Sequence, residues 1–467
     1  MSNGTSAPKS GHATALMNRE RDRRAAFAEF AQRRAEGAVV LPPQLLTKEE
    51  RRLYIRETLR EDHRYRVHNQ PEGAQAKFDK LQRCPFTFFR GTALLYYRDY
   101  AGTDGHLPVV FTVGDVHPDN FGVMPNENGA PFFGINDFDE AYFAPFSWDV
   151  KRGALGFYIA AKENGFKKKG RLRIVHAFVE GYLRGLEEYA RDDREKSHEY
   201  RLDNSPPMIK QLIENSHTRR KNFLEKYVDL EKGRFLPTEE IVPYTSHVSE
   251  FQEAVEAYCK SLDVNDDTRA GHFTVKDVAI KKGSGTASLG LERYWVLIDG
   301  PSEDNTDDLI LEFKHTRPSA LAGLSPSTAH NDGKAERVVD SHRIHLVGGD
   351  PYYGTTTLRD ESFLVRERSP YKNDIDVADL DAGEMEDYAE ICGKVLAQSH
   401  ARSDEDTGIQ TGNAEERILE AVEPGVFVDD VRRFAVAASE RVYADFSLFK
   451  KDYDLGAFTF VRDEVGT

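Results

Sequence analysis

Two short apolar runs, Val109-Val110-Phe111-Thr112-Val113 and Phe132-Phe133-Gly134-Ile135, each end in a cluster of acids and amides. Runs this short, built of β-branched and aromatic residues, form buried strands. The first leads into Gly114-Asp115-Val116-His117-Pro118-Asp119-Asn120, the second into Asn136-Asp137-Phe138-Asp139-Glu140. A strand end holds side chains rigidly, so both loops can aim carboxylates over one cleft. Acids and amides also favour turns on their own account. Two such units in series, with matched roles, make that the weaker explanation.

The residue types point to a chemistry. An Asp, an Asn five positions on, and another Asp after a second strand are what phosphoryl transfer needs. One carboxylate takes or orients the nucleophile's proton, while the amide and the second carboxylate hold Mg²⁺ against phosphates. Clustered carboxylates repel one another, and a divalent cation relieves that cost. His117 either orients Asp115 or packs beneath the loop. Asp139 is either a second metal ligand beside Asp137 or an ordinary loop acid.

A second signal lies downstream, in Gly283-Ser284-Gly285-Thr286-Ala287-Ser288-Leu289-Gly290. Glycines between strands let backbone amides approach phosphates closely, although glycine-rich hairpins are common. Lys314 adds weight. Alternation along Leu309-Ile310-Leu311-Glu312-Phe313 puts Leu309, Leu311 and Phe313 on one face and Lys314 on the other. Glu336, on the next expected helix, is the best-placed acid to hold that lysine, and Asp340 a weaker one.

Composition narrows the function classes. The 467 residues carry 79 Asp+Glu against 63 Lys+Arg, a net charge of −16, which argues against nucleic acid and anionic lipid as partners. Hydrophobic residues at 39% and charged residues at 30% suit a globular protein. No apolar run approaches the roughly 20 residues of a membrane helix. The N-terminus lacks a secretory pattern, and Cys84, Cys259 and Cys392 lack metal spacing. The expected location is the cytoplasm.

Patterning predicts helices at 17–35, 47–61, 93–101, 149–164, 171–191, 334–346 and 384–402, and through most of the chain beyond 415. Further strands are expected at 294–298, 309–314 and 362–366, with 192–245 irregular.

Together these pieces resemble the aminoglycoside-phosphotransferase branch of the protein-kinase-like superfamily. More closely, the chain resembles a bacterial family of unknown function marked by G-D-x-H-x-x-N-F-G, N-D-F-D-E and W-D-x-K-R. Here these are Gly114 to Gly122, Asn136 to Glu140 and Trp148 to Arg152. Pro85 to Gly91, Gly290 to Tyr294, Phe313-Lys314 and His400 to Ser403 also match.

The resemblance implies an α+β, two-lobed protein-kinase-like fold using ATP and Mg²⁺, with Mn²⁺ as a substitute. Asp115 would be the catalytic carboxylate, with Asn120 and Asp137 as metal ligands. Gly285, Ser288 and Gly290 would lie in a phosphate-covering loop that Gly283 opens, with Lys314 reaching the nucleotide. Ala287 stands where another glycine is expected. The acidic loops precede the glycine loop and lysine, the reverse of an ordinary kinase, which implies circular permutation. On that basis residues 1–80 are a disordered start and helical extension. Residues 81–270 are a helical lobe with the catalytic and metal loops, 271–375 a β-rich nucleotide lobe, and 376–467 helices returning to the first lobe.

The function expected is transfer of phosphate from ATP to a hydroxyl on a small molecule or a protein. Transfer of AMP on the same fold is the close alternative. A non-catalytic nucleotide-binding protein is a third, opposed by the joint retention of Asp115, Asn120, Asp137 and Lys314. A metal-dependent phosphoesterase would need downstream His ligands, but His315, His330, His342 and His345 read as polar surface or helix residues. Trp148 and Asp149 are expected to brace the first loop, with Arg152 as a partner for Asp149 and Arg90 near the acids. The Arg219-Arg220-Lys221 cluster reads as a solvated loop. Neither the acceptor nor the oligomeric state is legible in spacing.

Overall fold

The computed structural model describes residues 42–461 apart from 217, 263–271, 284–288, 303, 326, 328–329, 331 and 372, together with positions 28, 32 and 36. The helix expected over 17–35 falls outside the described residues except at 28 and 32. The chain divides into two compact units, residues 1–51 and 52–467. In the first, Thr47 and Glu50 cap the start of helix α1 (Lys48–Asp62) reciprocally. The Glu50 N–H donates to Thr47 Oγ1 at 3.3 Å and the Thr47 N–H to Glu50 Oε2 at 2.9 Å, satisfying amides that a helix end orphans.

The second unit continues with α2 (Arg64–Asn69), α3 (Pro71–Leu81), α4 (Pro85–Gly91) and α5 (Ala93–Tyr100). Pro71 and Pro85 open their helices, where a missing N–H costs nothing. Strands β1 (Val109–Thr112), β2 (Phe121–Pro125), β3 (Pro131–Ile135) and β4 (Tyr142–Pro145) follow, then α6 (Ser147–Glu163) and α7 (Lys168–Asp192). Next come α8 (Pro207–Ser216), α9 (Arg220–Leu224), β5 (Val228–Asp229), β6 (Arg234–Phe235), β7 (Ile241–Pro243) and α10 (Val248–Cys259). Strands β8 (Val275–Lys281), β9 (Arg293–Ile298) and β10 (Leu309–His315) lead to α11 (Glu336–His345), β11 (Gly354–Leu358), β12 (Glu361–Glu367) and β13 (Asn373–Asp374). The chain closes with α12 (Ala382–Ala401), α13 (Ala414–Ala421) and α14 (Pro424–Asp454). This is an α+β protein. No helix among the described residues is long and apolar enough to cross a membrane.

Strands β7 to β12 form one antiparallel sheet in the order β11-β12-β10-β9-β8-β7. Residues Leu309, Leu311 and Phe313 of β10 pack with Phe251 and Tyr258 of α10, while Ile310 joins Trp295 and Leu297 on the opposite face. With a side-chain period of two, Glu312 and Lys314 share the face of Ile310. The acidic loops arise from two smaller sheets: β1 pairs with β4, and the β2–β3 hairpin is edged by β13. Asn120 and Asn136 therefore sit side by side at the open end of that hairpin, where Phe121 faces Ile135.

Three differences from the sequence reading have local causes. Strand β2, which is not among the expected strands, forms because β3 and β13 pair with it on both sides. Strand β11, Gly354-Thr355-Thr356-Thr357-Leu358, has little apolar signal and is held by β12. The segment 192–245, expected to be irregular, carries α8, α9 and three short strands.

Helices α6, α7 and α12 form the main core with Val113, Val116 and Phe121 beneath the first acidic loop. Helices α7 and α12 cross at glycine: a Cβ on Gly393 would lie 2.8 Å from the Tyr182 amide nitrogen and closer still to the Phe178 carbonyl oxygen. Backbone cannot yield there as a side chain can. Gly393→Ala is expected to destabilise the protein by about 1–3 kcal/mol, read as a lower urea midpoint with an unchanged slope.

Candidate active site

The first acidic loop is held from behind. Asp149, in the first turn of α6, accepts the Val113 N–H at 2.7 Å and the Gly114 N–H at 3.1 Å. His400 Nε2 meets the same carboxylate at 3.1 Å, and the Tyr182 hydroxyl lies 2.9 Å from His400 Nδ1. Burial pushes the Asp149 carboxyl up, and these partners work against that. Ser403 Oγ accepts the Phe111 N–H at 2.5 Å. Gly114 (φ +91°) touches the second loop, since a Cβ there would lie 2.5 Å from the Glu140 carbonyl carbon. Only glycine combines that conformation with that approach.

Asp115 is clamped by Arg152. Its Oδ1 accepts from Arg152 Nε at 2.7 Å and also from Nη2. Arg152 is fully buried beneath the rings of Phe89 and Tyr96, 4.3 and 4.7 Å from its guanidinium carbon. Burial favours the neutral guanidine, but the Asp115 charge outweighs it and the guanidinium pKa rises. The expected pairing of Arg152 with Asp149 is therefore corrected: one helical turn separates them, and Arg152 points at the loop carboxylate while Asp149 caps the strand end.

His117 is buried beside Asp115, with Nε2 3.7 Å from Asp115 Oδ2 and Nδ1 lacking a hydrogen-bond partner. Burial, then the charges of Arg90 and Arg152, hold its pKa well below the usual imidazole value, so the ring is neutral. Asn120 Nδ2 donates to the Asp115 carbonyl at 2.6 Å, and the Asn136 N–H donates to the Asn120 carbonyl at 3.1 Å. Arg90 pairs with Asp119 at 2.5 Å.

In the second loop the Asp139 N–H donates to Asp137 Oδ1 at 3.2 Å, and Asp139 forms an ion pair with Lys314. Burial pushes the Asp137 carboxyl up and the neighbouring Asp139 charge adds to it. For Asp139 burial acts in the same sense, but Lys314 outweighs it and the carboxyl stays ionised. Lys314 and Arg366 oppose the shift of Asp137 without cancelling it.

Asp115, His117, Asn120, Asp137 and Lys314 all line one cavity of about 800 Å³. Its sheet wall holds Arg293, Lys314, Arg366 and Arg368, and its floor holds the acids. The Glu312 carboxylate, buried on the wall, accepts from Arg293 at 3.0 Å and from Arg366 at 3.0 and 3.1 Å. Burial raises its pKa, but Arg293 and Arg366 outweigh that and hold it well below the ordinary value.

Other expected positions lie elsewhere. The acid on Lys314 is Asp139 instead of Glu336, because Glu336 lines a separate cavity of about 730 Å³ alongside Lys334 and Glu361. Gly285 and Ser288 lie outside the described residues. Gly283 and Gly290 flank them with φ of +75° and +76°. Gly290 packs on the N-terminal helices: a Cβ on Gly73 would lie 2.5 Å from Gly290 Cα, and Arg66 Nε donates to the Leu289 carbonyl at 2.8 Å. His342 and His345, expected to be polar surface or helix residues, are buried on α11, His342 stacked on Tyr353 at 3.8 Å and His345 against Phe111 and Phe138. His315 is buried too, between Tyr65 and Glu361. None of the three lines the 800 Å³ cavity. Arg220, expected in a solvated loop, pairs with Glu367.

The sequence reading missed the arginine wall. Its signal was present in Arg293, which opens the apolar run Tyr294 to Ile298, and in Arg366, which follows Phe363-Leu364-Val365. Among the described residues no group of three or more His, Cys, Asp or Glu side chains forms a metal cage. One carboxylate, Asp137, and one amide, Asn120, suit a hard cation that takes its remaining ligands from phosphate and water, as Mg²⁺ does.

Fold and site thus define an α+β protein with a polar cavity between acidic strand-end loops and an antiparallel sheet. The chain belongs to the family described as uncharacterized protein conserved in bacteria (DUF2252), which matches residues 66–452. No curated protein and no solved structure matches it.

Proposed function

We propose that this protein is an ATP- and Mg²⁺-dependent phosphotransferase on a circularly permuted protein-kinase-like fold, acting on a hydroxyl of a small molecule or protein. The observation that carries the reading is that Asp115, Asn120, Asp137 and Lys314, from opposite halves of the chain, line one cavity. The order of elements supports permutation: the acidic loops come first, then the antiparallel sheet bearing the lysine, then helices α12 to α14, which pack back on α6 and α7.

In this reading Asp115 Oδ2, left open when Arg152 takes Oδ1, accepts the proton of the acceptor hydroxyl. The acceptor's hydroxyl oxygen, having given that proton to Asp115, bonds to the γ-phosphorus as the bond between the γ-phosphorus and the β-phosphate oxygen breaks, and ADP leaves. Asn120 and Asp137 would hold Mg²⁺, which would supply charge neutralisation at the phosphates. Lys314, kept in place by Asp139, meets the donor's phosphate oxygens. Neutral His117 fills the space behind Asp115 without adding charge.

The test is incubation of the full chain with Mg²⁺ and ATP labelled at the γ or the α position. ADP with the γ label on acceptor or water supports phosphotransfer. AMP-labelled acceptor with released pyrophosphate assigns nucleotidyl transfer instead. Absence of ATP binding by calorimetry, with Mg²⁺ or Mn²⁺ present, overturns both.

A further inference from the structure

Three arginines on the cavity wall are not used by this chemistry. Arg293 on β9 and Arg366 on β12 pair with the Glu312 carboxylate, Arg366 also lies near the Asp137 charge, and Arg368 follows just past the end of β12. Arg366 also donates to the Tyr353 hydroxyl at 3.3 Å. Arg368 makes no ion pair among the described residues. Its Nε is buried without an acceptor, and its guanidinium carbon lies 5.8 Å from the Trp295 ring centroid. A buried donor without an acceptor, such as the Arg368 Nε, costs free energy, and a bound anion offsets it.

Arg293 is the cross-strand partner of Lys314, and Arg366 lies opposite Glu312, two residues from Lys314, so of the three arginines Arg368 is the one set well away from Lys314. The Arg368 N–H donates to the Ile310 carbonyl at 2.8 Å, which sets Arg368 beside Ile310, four residues before Lys314 on β10. At about 3.3 Å per residue that is roughly 13 Å along the strand. Lys314 is held by Asp139 and Arg368 lies over Trp295, so one phosphoryl group does not bridge them.

We infer that Arg366 and Arg368 form an anion subsite separate from the Lys314 end, which takes a phosphate or carboxylate group carried by the acceptor. Assigning that group to the acceptor rests on the phosphotransferase reading, in which the donor's phosphates occupy the Lys314 end. The existence of the subsite does not. Planar guanidinium forks match both kinds of oxyanion in a bidentate way, and Arg366 is already fixed for the purpose by Glu312.

Calorimetric titration of the full chain with inorganic phosphate, and separately with acetate, tests this with and without saturating Mg²⁺ and a non-hydrolysable ATP analogue. One of the two anions is expected to bind with the analogue already in place, the tighter one naming the group. R368Q is expected to weaken that binding at least about tenfold, and K314M to leave it within twofold. R368K, which keeps the buried charge and loses the fork, separates loss of the site from loss of folding, with intermediate binding expected. Anion binding unchanged in R368Q overturns the subsite. Competition by the analogue overturns its assignment to the acceptor and leaves phosphotransfer standing. Arg368-dependent phosphate binding without any binding of the analogue upholds the subsite and ends the phosphotransferase reading.

Discussion

Asp115→Asn is expected to lower phosphoryl transfer by about 10²–10⁴-fold, the usual contribution of a positioned general base. The substitution keeps the side chain's shape, and its oxygen still accepts from Arg152, so the clamp survives in weaker form. The guanidinium also keeps its contacts with Phe89 and Tyr96. Stability is expected to fall by about 1–3 kcal/mol from the loss of a charge-assisted bond, too little to unfold a typical domain. In the proposed reaction nucleotide affinity rests on the metal and on Lys314, and it should stay within about threefold. A variant that turns over at the wild-type rate, or one that loses nucleotide binding along with turnover, would remove Asp115 from the role of base.

The second large effect falls on stability. Glu312 is 1% exposed and is the shared partner of Arg293 and Arg366. Glu312→Gln leaves two guanidiniums without their acid, and removing one partner of a buried pair costs about 3–5 kcal/mol. Urea denaturation measures this directly. The effect has a pH signature, because the folded Glu312 carboxyl titrates well below its ordinary value of 4.5. A lowered acid contributes stability that is fully present above the unfolded value and is lost as pH falls through the folded one. The gap between wild type and E312Q is therefore expected to be complete at neutral pH and to close in strong acid. A gap that stays constant across that range would show that Glu312 acts through packing alone.

Much of the secondary structure was legible in the chain because it depends on local periodicity. Apolar runs such as Val109 to Val113 and the helical spacing of Met385, Tyr388, Cys392 and Leu396 identified β1 and α12. Strands β2 and β11 were not legible, since Phe121-Gly122-Val123-Met124-Pro125 and the threonines of β11 acquire strand character from their neighbours.

The site divides the same way. The residues flanking the cavity could be named from spacing, as strand ends followed by acids. Which charge faces which could not. Arg152 faces Asp115 and not the nearer Asp149, and Lys314 faces Asp139 and not Glu336.

By itself the sequence determined the strongly periodic elements and the acidic loops at the ends of strands, because hydrogen bonding and side-chain periodicity act over a few neighbouring residues. Only the tertiary structure decided the partners of the charges, and with them the arginine wall around Glu312. Attraction between ions depends on distance and burial, and both are set by chain segments far apart in the sequence.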